Sequence, residues 1–463
     1  MNEKISPKVI GAIIATGLMS FCGVIVETAM NITFPTLMTE FHVATNTVQW
    51  MTTLYLLVVA SMVPLSATLK RRFKTRTLFL VAISFFIVGV VLDGVAPAFW
   101  VLLLGRAVQG LGTGIALPLM FNIILEQVPA SKIGMMMGVG TMITGVAPAI
   151  GPTFGGLIVS TMSWRYIFAL LLPVLIVALV IGVLCISQKS ATSAAKIDQG
   201  SVALIVLTFC GLIFGISSWG SQPFFSVSVA GALLVGLVAL IAFSVRSLKI
   251  QMPIINLRLF QTPTFVQAVI AFVGLQVSAL ALSFLLPNYI QLVNHNTALI
   301  AGLVVLPGAA LGAVAGPLSG RWFDRVGATK PLRVSVTLLL IGTVGFWLFG
   351  QHLANALILG WYIVFMLGMG LGYGNLMTFG LNQLPSRFHA DGNAIFNTLQ
   401  QFAAALGTSM AAAIVAAGQK AATSQAAGTI SGSVNSFTVL VVLLAIAFVM
   451  MWWMTRRAPQ VKS

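Results

Sequence analysis

The apolar positions of this chain do not alternate with polar ones; they come in long runs that follow one another along nearly its whole length. Each run holds roughly 18 to 28 residues, enough for a helix to cross a hydrocarbon layer of ~30 Å. Backbone groups inside lipid must be satisfied within a helix or a closed barrel. The runs are too long for strands and lack their period of two, so they are helices. The pattern predicts fourteen, at about 9–35, 46–69, 77–96, 99–125, 133–160, 164–187, 201–218, 225–245, 263–292, 298–320, 332–350, 354–383, 391–417 and 436–455.

Composition turns a count of helices into a class. Hydrophobic residues make up 59% of the 463 and charged residues 7%, with a mean hydropathy of +1.04, so the chain reads as all-α and integral to the lipid bilayer. The net charge of +16 is a matter of topology rather than of nucleic acid. With both termini cytoplasmic, every Lys and Arg except Arg165, Lys420 and the intrahelical Arg106 falls in an inner loop or tail. That asymmetry requires an even number of spans and adds attraction to anionic headgroups. The first residues are too polar for a signal peptide, so the first span is expected to remain. Short tails without processing signals point to a bacterial cytoplasmic membrane.

Two internal echoes suggest how the spans are organised. The segment Pro64-Leu65-Ser66-Ala67 returns as Pro317-Leu318-Ser319-Gly320, an offset of 253 residues, from 64 to 317. Gln127-Val128-Pro129-Ala130-Ser131 is echoed by Gln383-Leu384-Pro385-Ser386-Arg387, an offset of 256, from 127 to 383. The first echo follows the second span of each half and the second follows the fourth. The expected plan is a six-helix bundle over 1–190, two linker spans over 191–258 and a second six-helix bundle over 259–463. Parallel halves about an axis along the membrane normal suit a rocking transporter with its site between them. The linker pair, uncharged in its spans, is expected to pack peripherally.

The chemistry centres on Glu27, the one acid expected deep within a span. An ionisable group there costs on the order of 3 kcal/mol unless paired or hydrated, so it marks a candidate proton carrier. Arg106, inside the fourth span, needs a partner because it has no neutral form. Counting inward from the outer surface, Glu27 lies about 8 residues (~12 Å) deep and Arg106 about 7 residues (~10 Å). Matching depth predicts a pair, direct or through water. Desolvation and a nearby guanidinium act on that carboxyl in opposite senses, so a change of conformation can load and unload its proton. A static ion pair joining two helices is the alternative. Asn31, one turn from Glu27, and Gln109, one turn from Arg106, serve either to line a cavity or as interhelical glue. Gly145, Pro148, Gly151, Pro152 and Gly155 in the fifth span mark either a hinge or a tight helix contact.

Other chemistry is excluded. The cysteines, Cys22, Cys185 and Cys210, sit in apolar runs without metal or disulfide spacing, and the four histidines are scattered. No phosphate-binding G-x-x-x-x-G-K-[ST] loop occurs, so ATP does not drive this chain. Neither an enzyme nor a cofactor is expected; the energy source is the proton gradient.

The series Arg106…Gln109-Gly110, Gly145…Gly151-Pro152…Gly155-Gly156 and Trp164-Arg165-Tyr166-Ile167-Phe168 resembles the major facilitator superfamily, and with fourteen spans its drug/proton antiporter branch. Further matches are Glu27-Thr28…Asn31…Pro35, Trp50 with Tyr55, Pro287-Asn288-Tyr289-Ile290-Gln291, Gly302…Pro307 and Asp391-Gly392-Asn393-Ala394. The resemblance implies a major facilitator fold of fourteen transmembrane helices and a multidrug efflux function. It implies proton coupling at Glu27 with Arg106, and a substrate cavity at Asn31, Trp50, Tyr55, Gln109, Asn288 and Gln291. It also implies gating by the intact loop Gly320-Arg321-Trp322-Phe323-Asp324-Arg325-Val326-Gly327. The equivalent loop of the first half departs from the family's Gly-x-x-x-Asp-Arg-x-Gly, with Ala67, Arg71, Arg72 and Lys74 at those places, which leaves an inner latch there in doubt. The expected partners are protons and amphipathic, cationic small molecules, handled by a monomer. Export of one defined metabolite and a non-transport sensor are the other readings the sequence leaves open.

Overall fold

The computed structural model describes residues 5–43, 45–48, 50–192, 198–219, 222–250 and 253–457. The first half begins with α1 (Pro7–Ile32) and the short α2 (Phe34–Phe41) and α3 (Thr45–Val48). It continues through α4 (Trp50–Met62), α5 (Ser66–Arg72), α6 (Thr75–Gly94), α7 (Phe99–Gln127), α8 (Ile133–Thr161) and α9 (Arg165–Cys185). Two further helices follow, α10 (Gln199–Trp219) and α11 (Ala232–Lys249). The second half comprises α12 (Pro263–Leu292), α13 (Ala298–Val326), α14 (Thr329–Phe349), α15 (Asn355–Asn382), α16 (His389–Ala421) and α17 (Gln425–Arg457).

Among the described residues, 13 helices are long and apolar enough to cross a membrane. The exception is the second expected span. Instead of one helix up to residue 69, α4 passes into a 3-10 turn at Val63–Leu65 and then α5. Pro64 is the cause: it donates no backbone hydrogen bond, and its ring crowds the carbonyl four residues back, so the α-helix tightens and restarts. Elsewhere proline starts helices, at Pro7 of α1 and Pro263 of α12, where its missing donor costs nothing.

The halves repeat in detail. Pro129 (φ −54°, ψ 140°) and Pro385 (φ −56°, ψ 144°) each precede a 3-10 turn, Ala130–Lys132 and Ser386–Phe388, that leads into α8 and α16. His42 and His295, 253 residues apart, both take φ 52° after the first span of their half. In the first half α1 packs on α7, α8 and α9; in the second, α12 packs on α15, α16 and α17. The halves meet where α8 lies along α13 and α15, and where α16 touches α4 and α7. Helix α10 also touches both halves, through Trp50–Phe214 (centroids 5.5 Å apart) and Phe209–Phe402 (6.2 Å), so the linker pair is not wholly peripheral. At its start Asp198 accepts two 2.8 Å hydrogen bonds from Arg246, which holds that carboxyl below its usual range.

Lipid offers no hydrophobic drive between helices, so association depends on close backbone approach. Gly138 faces the carbonyl of Gly316, where an added Cβ would lie 2.6 Å from it, and Gly89 would meet the Gly105 carbonyl and the Gln109 amide at 2.7 Å. Large apolar side chains such as Leu170, Val177 and Leu184 on α9 are left exposed on the outside of the bundle. Gly89→Val is therefore expected to cost about 1–3 kcal/mol by overpacking α6 on α7. Gly360→Ala, with open space around its Cβ, is expected to be neutral or stabilising by less than about 1 kcal/mol. Thermal unfolding in detergent compares the two.

Candidate functional site

A cavity of about 160 Å³ lies between the halves. The first half contributes Val24, Glu27 and Thr28 from α1 with Gly145, Pro148 and Pro152 from α8. The second contributes Gln276 and Pro287 from α12, Tyr362, Met366, Met369 and Tyr373 from α15, and Gln400 and Gln401 from α16. Glu27 supplies the only carboxylate among the lining residues, and none of them is basic. On α12 the lining positions Gln276, Leu280, Ser283 and Pro287 recur at helical spacing, one stripe of one face.

Arg106 is sealed inside the first half with no exposed surface. Its Nη1 donates to Gln109 Oε1 (2.7 Å), its Nε donates to the Met51 carbonyl (3.3 Å), and its guanidinium lies 4.1 Å from the Tyr55 ring centroid. Gln109 passes the interaction on, donating through Nε2 to Asp93 Oδ2 (2.8 Å). The Tyr55 hydroxyl donates to the Gly23 carbonyl (2.9 Å) and accepts from Thr113 Oγ1 (3.0 Å), which ties the cluster to α1 one turn before Glu27. No ion pair joins Glu27 to Arg106 among the described residues. The two are at similar depth, but depth leaves the direction around each helix open: Arg106 turns toward α4 and α6, and Glu27 toward the cavity. Asp93 is a member of the site that the sequence reading passes over, although an acid in the otherwise apolar run 77–96 is the available signal; it is fully buried.

One end of the bundle is closed. Asp324 on α13 accepts the backbone N–H of Met135 (3.1 Å) at the start of α8, where Gly320 rides against Gly134 and Arg321 Nε points to Met135 Sδ (3.4 Å). Gly327 ends α13 at φ 79°, a conformation that favours glycine. Arg325 is exposed.

Residues 16–408 match the model of the Major Facilitator Superfamily. The chain belongs to that superfamily. It is 42% identical over 417 residues to lincomycin resistance protein LmrB of Bacillus subtilis, covering 89% of this chain and 86% of the relative. The corresponding protein of Listeria monocytogenes is 38% identical over 426 residues, covering 91% and 89%. The solved proton:xylose symporter XylE superposes with a TM-score of 0.69 at 12% identity, covering 99% of this chain and 98% of that one, a likeness of fold.

Of the residues expected to line the cavity, Trp50, Tyr55, Gln109, Asn288 and Gln291 are not on the wall described above. Trp50 packs against Phe214 of the linker pair, rings tilted by 35°, while Tyr55 and Gln109 serve Arg106. Asn288 is rotated off the α12 stripe and donates to the Phe284 carbonyl (2.7 Å); Gln291, one turn beyond the cavity, donates to the Pro287 carbonyl (3.2 Å). The side chain of Asn31 lies outside the described residues. Cavity polarity comes instead from Gln276, Gln400, Gln401, Tyr362 and Tyr373, which periodicity alone does not separate from other helical positions. In the glycine–proline segment, Gly151 and Gly155 seat α8 against Thr28 and Ala29 of α1, whereas the space beside Gly145 is open. The segment is thus a tight contact at Gly151 and Gly155 and a cavity wall at Gly145, Pro148 and Pro152.

The Trp-Arg motif fastens the other end. Trp164 Nε1 and Arg165 Nη1 donate to Glu40 (2.6 and 2.7 Å), and Arg165 Nη2 reaches the Ala96 carbonyl (2.9 Å). Partial burial raises the Glu40 carboxyl, but the hydrogen bonds from Trp164 and Arg165 outweigh it and the net shift is downward. A depressed folded value stabilises above the unfolded value of about 4.3 and is lost as pH falls through the folded one. The difference in unfolding temperature between the parent and Glu40→Gln is therefore expected at neutral pH and to close below about pH 4. Arg106→Met, which strands Asp93 and Gln109, is expected to cost about 3–5 kcal/mol. Arg106→Lys keeps the charge and costs less, read by the same unfolding measurement.

Proposed function

We propose that the chain is a fourteen-span, proton-coupled exporter of amphipathic, cationic drugs, working as a monomer by alternating access in a bacterial cytoplasmic membrane. The observation that carries this reading is Glu27, the single carboxylate on the wall of a cavity built from both halves. One such group holds either a proton or a cationic cargo. Two ligands that compete for it, each taken up on a different side, are exchanged for one another; that is antiport. Around it, Met142, Met366 and Met369 adapt to varied apolar shapes, and Tyr362 and Tyr373 offer ring faces to a cation. The relatives named for lincomycin resistance support a drug as the cargo.

The geometry supports the following cycle. With the basic loops cytoplasmic, the closed end is the inner one, and a proton entering from outside neutralises Glu27 and releases the cation. Protonated, Glu27 permits the halves to rock; facing inward, it loses its proton and takes a new cargo. Arg106 is engaged with Gln109 and Tyr55 inside the first half rather than ion-paired with Glu27. The fourteenth span in this reading is α4 with α5, broken at Pro64 but together as long as its neighbours.

The test is drug efflux from energised inverted vesicles of a pump-deficient host. Glu27→Gln is expected to fold and to lose gradient-driven efflux of a lipophilic cation at least tenfold, about 1.4 kcal/mol. Glu27→Asp is expected to retain part of it. Undiminished flux in the Gln variant would falsify the assignment.

A further inference from the structure

The internal repeat gives a role to the one place where the first half abandons its motif. At the offset of 253, Arg71 in the last turn of α5 stands where Asp324 stands in α13; at the offset of 256, Asp391 stands where Met135 stands. In the second half Asp324 takes the Met135 amide across the seam between halves. In the first half, at the same pair of positions, the Arg71 guanidinium takes the Asp391 carboxylate in the first turn of α16. The donor and acceptor have changed sides. The Asp391 side chain is 8% exposed and that of Arg71 30%, so the pair is largely withdrawn from water.

Neighbouring groups leave Arg71 as the basic residue of its loop that crosses the seam. Lys70 is held by Glu126 of its own half at 2.5 Å, and Arg72 lies over Phe73. Two residues on from Asp391, Asn393 Nδ2 donates to Asn122 Oδ1 (2.8 Å), a further polar contact of α16 with the first half, this time with α7. We propose that Arg71 and Asp391 form a charge-inverted counterpart of the Asp324 latch, so that this end of the bundle is shut by two latches on opposite sides of the pseudo-axis. The inference rests on the rocking motion of the reading above, but not on its cargo or its proton.

The two latches differ in what opening leaves behind. Asp324 is already exposed, so opening takes from it only a backbone donor, whereas Arg71 and Asp391 separate into two opposite charges that water must then solvate. Inverting one member alone puts like charges face to face, whereas inverting both restores the attraction with the sides exchanged.

The experiment uses the full chain in nanodiscs, with Cys22, Cys185 and Cys210 replaced by Ala and spin labels at Lys74→Cys and Arg387→Cys, both exposed at this end. Electron–electron distance distributions report whether the end is shut. Arg71→Asp is expected to move the ratio of short to long distances toward long by about tenfold. Arg71→Asp with Asp391→Arg is expected to recover the parent distribution. An unchanged distribution in Arg71→Asp, or a double variant no nearer the parent than the single ones, overturns the latch. Should Arg71→Asp fail to assemble, Arg71→Gln removes the attraction without repulsion, and a parental distribution there overturns it equally. These distances are measured without substrate, so loss of the proton assignment at Glu27 does not alter what they say about the latch.

Discussion

A guanidinium sealed inside a membrane bundle has no neutral form to retreat to, and the first half of this protein is arranged around answering Arg106. Tyr55 gives it a ring face, Gln109 an oxygen and Met51 a carbonyl, and Gln109 relays it to Asp93. Because these groups come from α4, α6 and α7, the charge acts as a rivet among three helices. These contacts hold Arg106 inside the first half, although its Nη2 and Asp93 Oδ1 find no hydrogen-bond partner among the described residues, while Glu27 on α1 is turned to the cavity.

Contacts within the first half and contacts across the seam use partly different devices. Within the first half, glycines bring backbones into contact along α6 and α7, where a single methylene more has no room. Between halves, glycine contacts also run along α8 and α13, but the closures at the end are polar and few: Asp324 with Met135, Arg71 with Asp391, and Asn393 with Asn122. Packing contacts in lipid persist because nothing displaces them, whereas hydrogen bonds at a bundle end can be exchanged for water. A seam that must open is better closed by the second kind.

Much of the architecture is legible in the chain. Run lengths locate 13 of the helices to within a few residues at most ends, because a span has to cover a fixed thickness. The second span is legible as apolar but not as broken, since the effect of Pro64 depends on what its neighbours do with the freed carbonyl. The site is legible in kind and not in detail. Glu27 and Arg106 stand out because ionisable groups are rare in such runs, yet their pairing is inferred from depth, one coordinate of three. Asn288 and Gln291 illustrate the same shortfall: polarity marks them, but about 100° of rotation per residue decides which wall a side chain joins. The glutamines and tyrosines that do reach the cavity carry no distinguishing signal.

By itself the sequence determined that the chain is a succession of helices long and apolar enough to cross a membrane, and it set the expectations that basic loops share one side and that the two halves echo each other, because hydropathy, charge and repetition are summed along the backbone and need no third dimension. Only the tertiary structure decided that Arg106 answers to Asp93 through Gln109, that Arg71 meets Asp391, and that the carboxyl of Glu27 faces the gap between the halves. The reason is physical: a partner is chosen by direction as well as by depth, and helix rotation is fixed by packing against neighbours that lie far off in the chain.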